Sequence, residues 1–391
     1  MNAPVVLRGL AWNHSRALPP LVATAQRFEE LHPGLAITWD KRSLHDFGHA
    51  GLRPLAAQYD LLVIDHPMLG EAWRSRLLLD LQTRLPADFL AGLAAGSIGQ
   101  AFTSYLFEGH LFALAIDVAA PAASYRPDLL MQLGVEVPQT WEDVLALARQ
   151  GHVVMPGHHA DLFLNFLGLC FSHGSPVPED AEHLADREIA LRCLAALREV
   201  AARMAAEAFG WNPIRLYEEM AEADRFVYCP FAFSYSNYSR QGFARHLVLF
   251  ANPVRLESAR PLRTVLGGTG LAISQQCRHP EIALEYAAYV AGPVCQRTLY
   301  GLCGGQPAQR SAWKNEILNN VTHGFFLNTL EGMETAFVRP RYDGYVPFQE
   351  RAGHPIAQYL RDEISAVAAL DSIDAQYRES LSSSERTVEN G

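Results

Sequence analysis

The sequence predicts an α/β protein of two lobes, and three observations carry that expectation. The chain has 391 residues, which at roughly 100 to 200 residues per domain accommodates two folding units. Its first 65 residues alternate strand and helix patterns, as the layers of a parallel α/β lobe do. Ala-rich, helix-dominated sequence begins after Asp117, and a Gly-rich β run near Gly267 marks a return to the first pattern. The first lobe is therefore expected to comprise 1–117 plus 263–308. The second is expected to comprise 118–262 plus 309–380, leaving 381–391 as a flexible tail.

The first strand is read at Val5–Trp12, and Leu21, Ala25, Phe28 and Leu31 recur at helical spacing after Pro19-Pro20. His32-Pro33-Gly34 stops that helix. Leu35–Trp39 resumes as a strand, and Tyr59–Asp65 is a continuous apolar run of buried-strand length. In open sheets of this kind ligands sit beyond the carboxyl ends of the strands, so the loops at 12–16 and 65–70 are the ones to watch. His110–Asp117 gives a short strand and the first crossover. Thr140-Trp141-Glu142-Asp143 has an N-cap pattern, with a helix to about Gln150. Helical patterns dominate 161–171 and 186–208, and Phe226–Pro230 reads as a strand entering the aromatic run 231–238. Arg263–Ser274 is a Gly-rich turn leading into a strand, and His279-Pro280-Glu281 opens another helix.

Composition excludes several classes. Hydrophobic residues make up 49% and charged residues 19% of the chain, ample for a core and unlike a disordered protein. Thirty-two basic against 42 acidic residues give a net charge of −10, and no basic stripe is present, which argues against nucleic-acid binding. No apolar run reaches the ~18 to 20 residues of a membrane span. The opening residues lack the pattern of a signal peptide, so a cytoplasmic location is expected as written, and a periplasmic one if a native leader is missing. Six cysteines spaced singly between Cys170 and Cys303 read as buried free thiols.

Several short segments occur in an order that is similar to a known family. They are the Trp12 loop, Phe28–Gly34, Asp60–Asp65, Gly109–Leu114, Tyr125–Leu130, Pro138–Asp143, Gly267–Ser274, His279–Ala283 and Gly304–Ala308. Together they resemble the extracellular solute-binding proteins of ABC importers, in particular the carbohydrate-binding type with a two-lobed type II periplasmic-binding-protein fold. The loop Trp12-Asn13-His14-Ser15-Arg16 also resembles that of a leaderless subgroup. The resemblance implies two α/β lobes joined by hinge crossovers near Asp117 and Arg263. It also implies closure over a small sugar-like or polar acidic ligand, with an ABC permease as partner if the chain is exported.

Sugar recognition combines aromatic faces with carboxylates, amides and Arg. The candidate ligand-binding residues are Trp12, Asn13, His14, Asp65, His66, Asp117, Tyr235, Asn237, Tyr238, Gly267, Gly268 and Arg341. Each has a plainer reading. Trp12 either lines the cleft or packs its lobe, and Asp65 and Asp117 either accept from a ligand or cap a helix. Phe231, Phe233 and Tyr235 would share one face of an extended run, as a ligand wall or as strand core. Gly267-Gly268 either brings backbone N–H groups close to a ligand or makes a tight turn.

Arg339 and Arg341, flanking Pro340, either grip an anion together or make ion pairs with Asp343 or Glu350. His14 and His66 are acid–base candidates for an alternative function, a cytoplasmic enzyme or sensor acting on a carboxylate or acyl thioester. No nucleophile motif accompanies them. Fifteen histidines invite a metal reading at His45 with His49 and at His152 with His158-His159, but the spacing lacks a zinc signature. No metal and no cofactor are expected.

Overall fold

The computed structural model describes residues 5–43, 51–178, 180–256 and 261–386. His45 and His49 lie outside the described residues. The chain divides into two compact units. Unit 1 comprises Met1–Ala119, Leu266–Asn320 and Val338–Val346, and unit 2 comprises Ala120–Val265, Val321–Phe337 and Pro347–Gly391. Residues 309–320 and 338–346 thus belong to unit 1, whereas the sequence pattern predicts them in the second lobe. The reason is pairing invisible in a polar, charged stretch. Gln309 forms a β-bridge with Ser97, Arg339 joins Asp65, and Arg341 donates to backbone carbonyls at 103–106.

Unit 1 is built on β1 (Val5–Trp12), β2 (Leu35–Arg42), β3 (Leu61–Ile64), the small hairpin β4 (Leu106–Phe107) and β5 (His110–Leu111), and β6 (Leu114–Ala119). Unit 2 contributes β7 (Pro121–Tyr125), β8 (Tyr228–Phe233) and β9 (Leu249–Ala251), after which β10 (Gly267–Ile273) returns to unit 1. The main sheet of unit 1 has the order β2-β1-β3-β10-β6. Strand β1 pairs in parallel with β2 and with β3, whereas β10 runs antiparallel to both β3 and β6. The expected all-parallel sheet is therefore mixed, because the returning chain enters it from the opposite end. Strand β3 is buried along its whole length, which is why it reads as an unbroken apolar run.

The Leu18–Leu31 helix carries Pro in its first turn and buries Leu21, Thr24, Ala25 and Phe28. Against that face lies the Pro280–Ala291 helix, whose Tyr286 hydroxyl donates to Leu21 O at 3.2 Å while its ring meets Phe28 edge-on. Among the described residues no helix is long and apolar enough to cross a membrane.

Unit 2 holds the antiparallel sheet β8-β7-β9 and a larger helical layer. The Trp141–Arg149 helix starts with a reciprocal capping box between Thr140 and Asp143. The His159–Ser172 helix is buried at nearly every position from Leu162 to Cys170, a pattern of a central helix covered on all sides. The Arg187–Ala201 helix ends before the expected 208, and a separate 3₁₀ segment spans Ala206–Gly210. Residues 381–386 belong to the Ala366–Arg386 helix and are not tail; 387–391 lie outside the described residues. Four cysteines are buried, but Cys277 and Cys303 are half-exposed, so the buried-thiol expectation holds for only part of the set.

One buried cation organises the edge of unit 2. The Arg126 guanidinium, fully buried, donates to Met220 O at 2.7 Å and Ala223 O at 3.0 Å. It also holds Asp128 through both Nε and Nη2, and Asp224 through Nη2. A planar fork with five donors satisfies all four acceptors, and a lysine ammonium with three donors at one point does not. Arg126→Lys is accordingly expected to destabilise the protein by about 2 kcal/mol through orphaned acceptors, read as a lower urea midpoint with unchanged m-value.

Candidate functional site

The carboxyl ends of β1 and β3, the end of β6 and the start of β10 lie along one edge of the unit 1 sheet. Register fixes this, since Gly270 stands opposite Ile64, and Gly267 and Gly268 stand opposite Ala119 and Val118. Topology thereby brings Trp12, Asn13, His14, Asp65, His66, Asp117, Gly267 and Gly268 to one edge.

Two charge clusters hold it. After β1 the chain turns through Asn13–Arg16, where Arg16 N donates to His14 Nδ1 at 2.9 Å. The buried Arg16 guanidinium then clasps Asp117 with two hydrogen bonds, Nε to Oδ2 at 3.1 Å and Nη2 to Oδ1. Gln306 N donates to the same carboxylate at 3.1 Å, and Gln306 Nε2 donates to Val118 O at 2.9 Å. Asp117 is thus neither a helix cap nor open to solvent, being 1% exposed. Burial pushes its carboxyl up, opposed by Arg16.

The second cluster follows β3. Asp65 caps the short 3₁₀ turn by accepting from His66 N at 2.8 Å, so the capping reading describes it. It also receives Arg339 Nη2 at 2.6 Å, while Arg339 Nε donates to Leu266 O at 3.0 Å. Arg339 N donates to His66 Nε2 at 3.3 Å, which puts the ring proton on Nδ1, 3.1 Å from Asp65 Oδ1. His66 is 1% exposed with both ring nitrogens engaged inside the protein. Burial and the Arg339 charge pull it down to about 4, against the pull of Asp65. Burial raises the Asp65 carboxyl, but Arg339 and His66 outweigh it and leave it at about 2. His14 is likewise pulled down to about 4 by burial and Arg16. Both imidazoles are neutral at pH 7, and His66 lies between Asp65 and the backbone of Arg339.

Other candidates are placed differently from their sharper readings. Trp12 is 3% exposed, with the Arg16 guanidinium 6.0 Å from its ring centre. Arg341 turns away from Arg339 to donate to the carbonyls of Thr103, Ser104 and Leu106, so the two do not form a common anion grip. Asp343 pairs with Arg74, and Glu350 with His159. Gly267 and Gly268 are strand residues and not a turn. Gly268 has φ +117°, and a Cβ there would overlap Asp117 O and Val118 Cα, so its close approach is to β6.

In unit 2, Tyr235, Asn237 and Tyr238 are buried. The Tyr238 hydroxyl donates to Glu218 at 2.6 Å, and Asn237 Oδ1 has no hydrogen-bond partner among the described residues. Phe231 packs in the core beneath Trp141, with parallel rings 6.0 Å apart. Of the residues at the unit 1 edge, Asn13 is exposed, and His14, Asp65 and Gly268 are half-exposed. Sequence reasoning did not find the partners Arg339 for Asp65 and Gln306 for Asp117, which stand 274 and 189 residues away.

The family model for bacterial extracellular solute-binding proteins matches residues 11–296. The chain belongs to that family. Among curated proteins none matches the sequence. Similar solved structures include maltose-bound MalE3 of T. maritima, with TM-score 0.81, 17% identity, and 96% of this chain and 99% of that one covered. Another is the GacH receptor of Streptomyces glaucescens, solved unliganded and with acarbose, with TM-score 0.80, 14% identity and coverage of 97% and 99%. A third is an ABC-transporter solute-binding protein of Agrobacterium radiobacter K84 in complex with ribitol, with TM-score 0.77, 18% identity and coverage of 96% and 98%. At these identities the likeness establishes the two-lobed periplasmic-binding-protein fold.

The unfolded chain holds more protons than the folded one wherever His14 and His66 stay neutral in the fold, between the ordinary 6.5 and about 4. Stability should therefore fall as pH drops through that window, and Asp65 should extend the loss below pH 4 toward 2. His66→Gln is expected to flatten the upper part of the profile by up to about 3 kcal/mol, measured by urea unfolding at stepped pH. Gly268→Ala is expected to cost at least about 2 kcal/mol from the strained φ and the clash with β6, read as a lower unfolding temperature.

Proposed function

We propose that the chain binds a neutral sugar or polyol and delivers it to an ABC permease from the outer side of the cytoplasmic membrane, in the periplasm. The observation that carries this reading is the family match over residues 11–296. The ligands named for its structural neighbours, maltose, acarbose and ribitol, point to the solute class. On unit 1 the proposed contact is the sheet edge, where Asn13 supplies an amide and Asp65 a carboxylate that stays ionised down to low pH. An amide and a carboxylate together donate and accept, which is what a sugar hydroxyl requires. Solute binding is proposed to be accompanied by closure at the crossover segments.

Calorimetric titration of refolded, ligand-stripped protein with maltose, ribitol and a hexuronic acid tests the reading. A neutral sugar or polyol is expected to bind with a Kd in the micromolar range, about −8 kcal/mol, and to reduce the radius of gyration in solution scattering. Asn13→Ala, at an exposed position, should weaken binding at least tenfold with an unchanged unfolding midpoint. Silence with the neutral ligands and heat with the acid alone would reassign the solute class.

A further inference from the structure

We propose that unit 2 carries a divalent transition-metal site, suited to zinc, made by His158, His159 and Glu350. It stands apart from the solute-binding reading and departs from the expectation of no metal. His158 and His159 open the His159–Ser172 helix, and Glu350 comes from the Tyr345–Leu360 helix, 191 residues further on. One ligand atom from each of the three lies within 4.8 Å of the others. His159 Nε2 already meets Glu350 Oε1 in a short contact.

The donor set is chemically selective. Two imidazoles and a carboxylate are the ligands zinc takes at about 2.0 to 2.2 Å, leaving a fourth position for water. Hard cations such as Mg²⁺ and Ca²⁺ prefer all-oxygen cages. A tetrahedron with such bonds spaces its ligand atoms about 3.3 to 3.6 Å apart, so small side-chain rotations gather the three. The positive end of the His159–Ser172 helix disfavours a cation, and two carboxylates offset it: Glu350 itself, and Asp161, whose Oδ2 lies 3.9 Å from His158 Nδ1.

The surroundings fix the geometry. His158 and His159 side chains are 27% and 21% exposed and Glu350 is 19% exposed, so the group is reachable by an ion yet held by its neighbours. His354, one turn beyond Glu350 on the same helix face, stacks on the His159 ring at 4.0 Å between centroids and limits its rotation. Gly353 lies against the His159 backbone, where a Cβ would overlap the His159 carbonyl. The absence of a side chain there is what allows the two helices to approach closely enough for Glu350 to reach the histidines. Zinc bound at His159 Nε2 takes the place of the hydrogen bond between Nε2 and Glu350 Oε1, with the imidazole N–H carried on Nδ1.

The test is a Zn²⁺ titration of the chelator-stripped full chain against a competing chelator, with X-ray absorption at the zinc edge of the loaded protein. One equivalent is expected, with an edge spectrum fitted by two imidazole nitrogens and oxygen donors. His159→Gln and the near-isosteric Glu350→Gln should each weaken binding at least tenfold, while His45→Ala combined with His49→Ala should leave it unchanged. The proposal is overturned if the wild-type chain retains no zinc, or if Glu350→Gln binds zinc as tightly as the wild type. An absorption edge without two imidazoles overturns it even if a variant fails to fold.

Discussion

The clasp of Arg16 on Asp117 is the constraint on which the sheet edge of unit 1 depends. Both side chains are withdrawn from water, and neither is tolerable there alone, since a buried unpaired charge costs several kcal/mol. The pair therefore dictates where the loop after β1 goes, how β6 ends and where the 306 segment lies, because Gln306 completes the coordination of the same carboxylate. A pair of this kind adds little net stability over apolar packing of equal volume. Its effect is geometric: misplacing any one of the three segments leaves a charge without its partner.

The same logic recurs at two other places. Asp65, His66 and Arg339 tie the end of β3 to the late segment Val338–Val346, which belongs to unit 1 despite its position in the chain. Arg126 gathers two carboxylates and two carbonyl oxygens at the edge of unit 2. In each case a guanidinium, planar and permanently charged, joins segments too polar to be held by hydrophobic burial. Glycine does the complementary work. Gly268 and Gly353 sit where backbone meets backbone and a Cβ has no room.

Along the sheet edge of unit 1 Asn13 is exposed, whereas His14 and the paired Asp65 are half-exposed. His14 and His66, which as a sequence pattern suggest acid–base chemistry, are held neutral by burial and neighbouring cations. The candidate metal cluster lies on unit 2 and draws on different helices.

The sequence by itself determined the local elements and the order of strands and helices. Leu61–Ile64 is uniformly apolar because β3 is covered on both faces, and Thr140 with Asp143 announces a helix start because the cap is made within four residues. The succession of short segments from Trp12 to Ala308 was enough to suggest the family. The tertiary structure alone decided the direction of β10, the placement of Val338–Val346 with unit 1, the partners of Asp65 and Asp117, and the meeting of Glu350 with His158 and His159. Local patterns reflect backbone hydrogen bonding and burial over a few residues and are written in the chain at that spacing. A charge finds its partner by desolvation and distance in the folded state, across separations of 101 to 274 residues that leave no periodic trace in the sequence.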